Sequence, residues 1–326
     1  SLKDYNLKYL NFFEFKMPST FYFPGHYVYN SYRLSKLYYQ KLKLNTYDFI
    51  YAQGFTSWYL LKKQPYKKNL ISNLHGLEMY QLANNKIELL KKQILKIPSG
   101  TIIKKSRYTV SLGGKLDSIL LNNGAKREFI FTLPNAIESS WILEKLSNIK
   151  PGKLKFVFVG RYERRKGLKE IFKTIKTLIN EYSFEFHFIG EIPKDRQIHN
   201  ENFFYHGVLK NPEIIKNILI NSDILVCPSY SEGMPTVILE AMACGCAIIA
   251  TDVGAVKTMV NDENGWLINN INIESELAKA IRSSFLDEKI LLNKKINSLN
   301  KVKKDFTWDI IIHKTIDTIK NLSLKN

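Results

Sequence analysis

Cysteine is scarce: Cys227, Cys244 and Cys246 are the three in 326 residues, and each sits in an apolar run. That number and setting exclude a disulfide framework and fit reduced, buried thiols of a cytoplasmic protein. Their spacing, with no histidine beside them, does not read as a zinc site. Long apolar runs are also missing. Nothing approaches the ~18 consecutive residues of a membrane-crossing helix, and the start "SLKDYNLKYL" has neither a signal core nor an initiator Met. Acidic residues are few: 30 Asp and Glu stand against 48 Lys and Arg, a net charge of +18. Internal repeats and low-complexity blocks are absent. What is present is ample apolar content, 45% of the chain, enough for a packed core and for about two domains at ~150 residues each.

The charge is uneven. Residues 1–140 hold 21 Lys and Arg against 8 Asp and Glu, a net +13, whereas residues 141–326 hold 27 against 22. Aromatic clusters such as "NFFEF", "FYFPGHYVYNSY" and "LYYQ" fall within the first 60 positions. A basic, aromatic surface suits anionic lipid headgroups or nucleic acid. No nucleic-acid module is recognisable, so the expectation is a membrane surface and no nucleic acid.

Short apolar runs ending in Gly or a polar residue alternate with helical spacing. In the second half "KLKFVFVGR", "FEFHFIG", "NFFYHG", "DILVCPS" and "CAIIATD" read as strands. "GLKEIFKTIKTLINEY", "NPEIIKNILINS" and "PTVILEAMACG" read as helices between them. In the first half "YDFIYAQG", "KNLISNLHG", "RYTVSLGG" and "REFIFTLPN" read as strands and "GLEMYQLANNKIELLKKQIL" as a helix. Such alternation builds parallel sheets covered on both faces, which bind ligands at the carboxyl ends of their strands. The expected division is 1–140, 141–305, and a terminal helix, 306–326, crossing back to the first half.

Two strand ends carry chemistry. "GRYERRKG" offers Arg161, Arg164, Arg165 and Lys166. "YSEGMPTVILEAMACG" places Glu232 before a helix start and Glu240 inside the helix among apolar residues. Backbone N–H groups near Gly233, Thr236 and Val237 would receive a phosphate, and the cations would neutralise a diphosphate from the other side. A carboxylate in Glu240's setting needs a partner, which ribose hydroxyls would supply.

These motifs, with "NLHGLEMY", "LPNAIE" and "FTWDIIIHK" more weakly, resemble the retaining nucleotide-sugar glycosyltransferases of family 4. Their mark is two glutamates separated by seven residues, matched by Glu232 and Glu240. The resemblance implies an α/β protein of GT-B fold, two Rossmann-like domains facing each other across a crevice. It implies a metal-independent, cofactor-free hexosyl transfer with retention, from a nucleotide-diphosphate sugar, UDP-linked by preference, to a carbohydrate or lipid-linked acceptor in cell-surface polysaccharide or glycolipid synthesis. Arg161 and Lys166 would clamp the diphosphate, Glu240 the ribose, and Glu232 and His75 the transferred sugar. Gly207 and Val208 would flank the base, Met234 would lie with the donor-binding loop, and Asn135 would line the crevice. One departure stands out: no Gly-rich turn precedes residue 50, so the first domain is expected to be short at its amino terminus. Alternatives on the same fold are an epimerase, a phosphorylase, or a non-catalytic binder of nucleotide sugars. Location would be cytoplasmic, peripheral on the inner membrane face.

Overall fold

The computed structural model describes residues 25–323 apart from 45, 66, 84 and 147–151. The aromatic segments before residue 25, and most of the join between the halves, lie outside the described residues. The first unit opens with α1 (His26–Leu42) and continues β1 (Ile50–Gln53), α2 (Trp58–Lys63), β2 (Leu70–Asn73), α3 (Lys86–Lys105), β3 (Tyr108–Ser111), α4 (Lys115–Asn122) and β4 (Ile130–Thr132). Its four strands are parallel, in the order β1-β2-β3-β4.

The second unit runs β5 (Leu154–Val159), α5 (Leu168–Leu178), β6 (Phe184–Ile189), β7 (Phe203–Gly207), α6 (Pro212–Ile220), β8 (Ile224–Cys227), α7 (Thr236–Ala243), β9 (Ala247–Thr251), α8 (Val256–Met259) and β10 (Gly265–Ile268). It ends in α9 (Ile273–Ser284) and α10 (Glu288–Asp305). Its six parallel strands lie in the order β10-β9-β8-β5-β6-β7. Counted within the unit and read from the β7 edge, that is 3-2-1-4-5-6, the doubly wound order whose switch point falls between β5 and β8. The strands are nearly continuous apolar runs because helices cover both faces. Phe156, Phe158, Phe184, Phe186 and Phe188 form a fully buried aromatic layer across β5 and β6.

The chain crosses between the units twice, side by side. Outgoing Ile137 forms a parallel bridge with returning Thr307, and its N–H donates to the Phe306 carbonyl at 2.8 Å. After the return, α11 (Trp308–Ser323) brings Leu322 against Ile71, Tyr108, Val110 and Leu133, on the other face of the first sheet. One continuous apolar cluster joins the units, with Leu74 and Leu77 of the first and Met234 and Val253 of the second as members.

One helix differs from the sequence expectation. Among the described residues, 76–83 and 85 are not helical beyond a single tight turn, Glu78–Tyr80. α3 starts only at Lys86, because the Asn85 side chain accepts from the Glu88 N–H and caps the helix there. It then runs through Pro98 to Lys105.

Candidate active site

The switch point brings together the loop after β5 and the loop after β8. Residues 164–166 form one tight turn ended by Gly167 with φ 73°. A Cβ at Gly167 would stand 2.1 Å from the Pro228 carbonyl oxygen, so only glycine lets the two loops pack this closely. The Tyr230 N–H donates to the Arg165 carbonyl at 2.7 Å and ties them together.

Glu232 is the centre of the cluster. It is 6% exposed, and its carboxylate receives Lys166 Nζ at 2.6 Å and Arg165 Nη1 at 3.3 Å. A buried carboxylate is tolerated only when paired in this way. Arg165 also donates to the Ser231 carbonyl and, through Nε, to Glu163 at 2.8 Å. Burial works against the Arg165 charge, but Glu232 and Glu163 outweigh it and hold its pKa above the ordinary arginine value. Arg164 turns outward to Glu170 and stacks over the Tyr230 ring. Arg161 is largely exposed, with Glu163 at 2.9 Å.

The first unit reaches into this cluster at three points. Gln81, in the loop after the tight turn, donates through Nε2 to the Glu232 carbonyl at 2.7 Å and accepts the Glu232 N–H at 3.1 Å. His75, at the carboxyl end of β2, is the one non-glycine with positive φ (62°) among the described residues, and its N–H donates to the Asn73 side chain. Strain of this kind persists where the surroundings enforce it. Here the adjoining Gly76 meets Gly233 backbone to backbone: a Cβ on Gly233 would lie 3.0 Å from the Gly76 Cα. Asn135, just after β4, donates through Nδ2 to the Met234 carbonyl at 3.0 Å, and its N–H points at the Met234 sulfur. From the opposite side Gly254 packs against the Glu232 and Gly233 carbonyls, and the Ala255 N–H donates to the latter.

Past this loop Pro235 caps α7, whose first N–H groups, those of Thr236 and Val237, have no helical acceptor. Thr236 is exposed and Val237 half-buried. One turn on, Glu240 is half-buried, and among the described residues no ion pair reaches it. Burial raises its pKa above the ordinary carboxylate value, and a hydrogen bond with Thr236 offsets part of that. Gly207 and Val208 stand apart, at the end of β7; Val208 is exposed and a Cβ on Gly207 would meet open space. The structure therefore brings Asn135, Lys166, Glu232, Gly233 and Met234 together, sets the His75 backbone beside Gly233 with its side chain exposed, leaves Arg161 and the Glu240 face open, and places Gly207 and Val208 at the edge.

Sequence reasoning missed Gln81, Arg165's role and Gly254. "GRYERRKG" signalled that a cation would be present but not which one; Gln81 gave no signal, being 151 positions from its partner. Cys227 lies beneath the site, its thiol pushed up to about 11 by burial and then by Glu232. Cys244 and Cys246 are likewise buried and free. Among the described residues no three His, Cys, Asp or Glu are grouped to hold a metal ion.

Comparison with known proteins defines the class. Residues 153–287 match the family model described as Glycosyl transferases group 1, and this part of the chain is a domain of that family. The putative teichuronic acid biosynthesis glycosyltransferase TuaC of Bacillus subtilis is 35% identical over 125 residues, 38% of this chain and 31% of the relative. The UDP-Gal:alpha-D-GlcNAc-diphosphoundecaprenol alpha-1,3-galactosyltransferase of Escherichia coli is 29% identical over 239 residues, 69% of this chain and 52% of the relative. The matches thus span between about a third and about half of these relatives' lengths. Among solved structures, sucrose-phosphate synthase from Thermosynechococcus elongatus superposes with a TM-score of 0.77 at 16% identity, covering 95% of this chain and 83% of that one. The fold is GT-B, with two Rossmann-like units.

Proposed function

We propose that this chain transfers a sugar from a UDP-linked donor to an acceptor hydroxyl, with retention and without a metal ion, in the synthesis of a cell-surface polysaccharide or glycolipid. The observation that carries this reading is the convergence at one switch point of a buried, doubly paired Glu232, the cations of the β5 loop, the open start of α7, and His75 from the opposite unit. The names of the relatives support it: the E. coli enzyme pairs a UDP-sugar with an acceptor on diphosphoundecaprenol.

In this reading Lys166, Arg161 and the α7 N–H groups stabilise the departing diphosphate, where charge develops as the glycosidic bond breaks. Glu240 accepts from the ribose hydroxyls, and Gly207 and Val208 flank the base. Glu232 and His75 hold the transferred sugar, with Gly233 and Met234 forming the wall beside it. Glu232 is an orienting group, not a nucleophile. Two cations already hold its charge, which disfavours attack by its carboxylate on the sugar. The departing phosphate, on the same face as the incoming hydroxyl, takes the acceptor proton.

The membrane expectation is retained as part of the proposal. No helix among the described residues is long and apolar enough to cross a membrane, so attachment would be peripheral, at the inner face and through the basic first unit. The deciding experiment incubates the protein with a panel of nucleotide sugars, with and without lipid-diphosphate acceptors, and follows nucleotide release by mass spectrometry. UDP release that needs an acceptor is the expected result. Donor isomerisation, phosphate-dependent cleavage, or binding without turnover for every donor and acceptor would overturn the reading.

A further inference from the structure

The transferase reading leaves the outer side of α3 without a purpose. The inner side of this helix is ordinary: Lys92, Leu95, Ser99, Ile102 and Ile103 face the first sheet and its neighbours. On the other side Ile87, Leu90, Ile94 and Ile97 recur at i, i+3, i+7 and i+10, one stripe along about three turns. Ile87 is 70% exposed, Leu90 64% and Ile97 61%. Three large aliphatic side chains in line, this far out, form a contiguous apolar patch of the kind that marks an interaction surface.

The surroundings of the stripe name its partner. Lys86 and Lys91, both exposed, flank it on its two sides, and the helix ends in Lys104 and Lys105. The single acid of α3, Glu88, is turned away and paired with Lys92 at 2.8 Å. An apolar stripe edged by lysines with no acid along it complements a surface that is apolar inside and anionic outside. A second copy of the chain fits poorly, because it would set one lysine-edged face against another. The position is also telling. Gln81 holds Glu232, the next residue is the half-exposed Leu82, whose carbonyl accepts from Lys92, and α3 begins four residues later. The stripe therefore starts at the rim of the crevice.

We propose that the outward stripe of α3 docks onto an anionic membrane and holds the mouth of the crevice against the bilayer, so that the acceptor hydroxyl arrives from the lipid surface. This rests on the transferase reading for its purpose but not for its test. Co-flotation is measured with vesicles of phosphatidylcholine alone and of phosphatidylcholine with phosphatidylglycerol, for the unaltered chain, for Leu90→Asp/Ile97→Asp, and for the milder Leu90→Ser/Ile97→Ser. A control pair, Tyr27→Ser/Tyr29→Ser, alters exposed rings of α1. The expected result is binding that requires phosphatidylglycerol, falls with salt, drops about tenfold or more in both α3 variants, and survives in the α1 control. The altered positions are exposed, so melting temperature and nucleotide release in solution should not change; nucleotide release reads the transferase separately. Equal binding by the α3 variants, loss in the α1 control alone, equal flotation with neutral vesicles, or no flotation of the unaltered chain would each overturn the proposal. So would light scattering that shows a dimer lost in the α3 variants.

Discussion

The side-chain amide of Gln81 grips Glu232 by its backbone at both ends, donating to the carbonyl at 2.7 Å and accepting from the N–H at 3.1 Å. One residue of the first unit thus fixes the loop that, in the proposed transfer, holds the sugar. Gln81→Ala removes both bonds, each worth about 1 kcal/mol net, and should lower kcat/KM while leaving UDP affinity nearly unchanged. Gln81→Glu should be worse, since its carboxylate cannot donate and faces the Glu232 carbonyl. Steady-state kinetics beside UDP calorimetry check this; a parallel loss of UDP affinity would make Gln81 a general folding contact.

Lys166 is both the partner of buried Glu232 and a cation of the loop after β5, where the proposal places the diphosphate. Lys166→Ala should cost about 10²-fold or more in turnover. It should also destabilise the fold, by less than the ~3–5 kcal/mol of a fully broken buried pair, because Arg165 remains on the carboxylate. In the double variant Lys166→Ala/Glu232→Gln the unpaired charge is gone, so thermal stability should recover and turnover should not. Recovery of both would remove Lys166 from the leaving-group role.

Glu240 is the carboxylate whose pKa burial raises. In the free protein its titration is therefore shifted upward, and a ribose that hydrogen-bonds the charged form shifts it back down. Nucleotide affinity should therefore fall as pH drops through the raised carboxylate range, and Glu240→Gln should flatten that dependence and weaken binding by about 1–3 kcal/mol. Calorimetry at several pH values measures both; full affinity in a folded Glu240→Gln would sink the ribose assignment.

His187 and His206 face each other across β6 and β7, ring nitrogens 3.0 Å apart and rings stacked. Burial, then His206, holds His187 below its ordinary pKa of 6.5, and burial does the same to His206. The unfolded chain takes up protons first. Stability present above pH 6.5 is consequently lost as pH falls through that value towards the depressed ones. Melting curves between pH 7.5 and 5 should show the loss, and His206→Gln should reduce it. An unchanged slope in that variant would show that other groups carry the acid sensitivity.

The parallel strands were legible because a strand buried on both faces is a plain apolar run, and each of these ends in a glycine or a polar residue at the loop. "DILVCPS" and "KLKFVFVG" therefore pointed to the two strand ends beside the switch point, whereas "GWLI" at β10 was too short to register. The start of α3 was misread because Leu77, Met79 and Leu82 continue its apolar count backwards. Asn85 stops it by a cap, which a periodicity does not contain. At the site, residue types were readable and directions were not. Four cations lie within six positions of the β5 loop, and a single tight turn decides that Arg165 and Lys166 face Glu232 while Arg164 and Arg161 face outward. Contacts such as Gln81 to Glu232 or Asn135 to Met234 depend on how the two units meet, and a local pattern holds no record of that.

The packing of Leu322 against Tyr108 and Val110 also sets an order of manufacture. On the ribosome, all four strands of the first sheet emerge before the second unit is made. One face of that sheet then waits for α11, which follows the whole second unit in the chain. The second unit contains its whole six-stranded sheet and can close as soon as α10 is out. The first unit is thus begun before the second and completed after it, and until the chain has crossed back beside Ile137 its unfinished face is what a chaperone or a protease would meet.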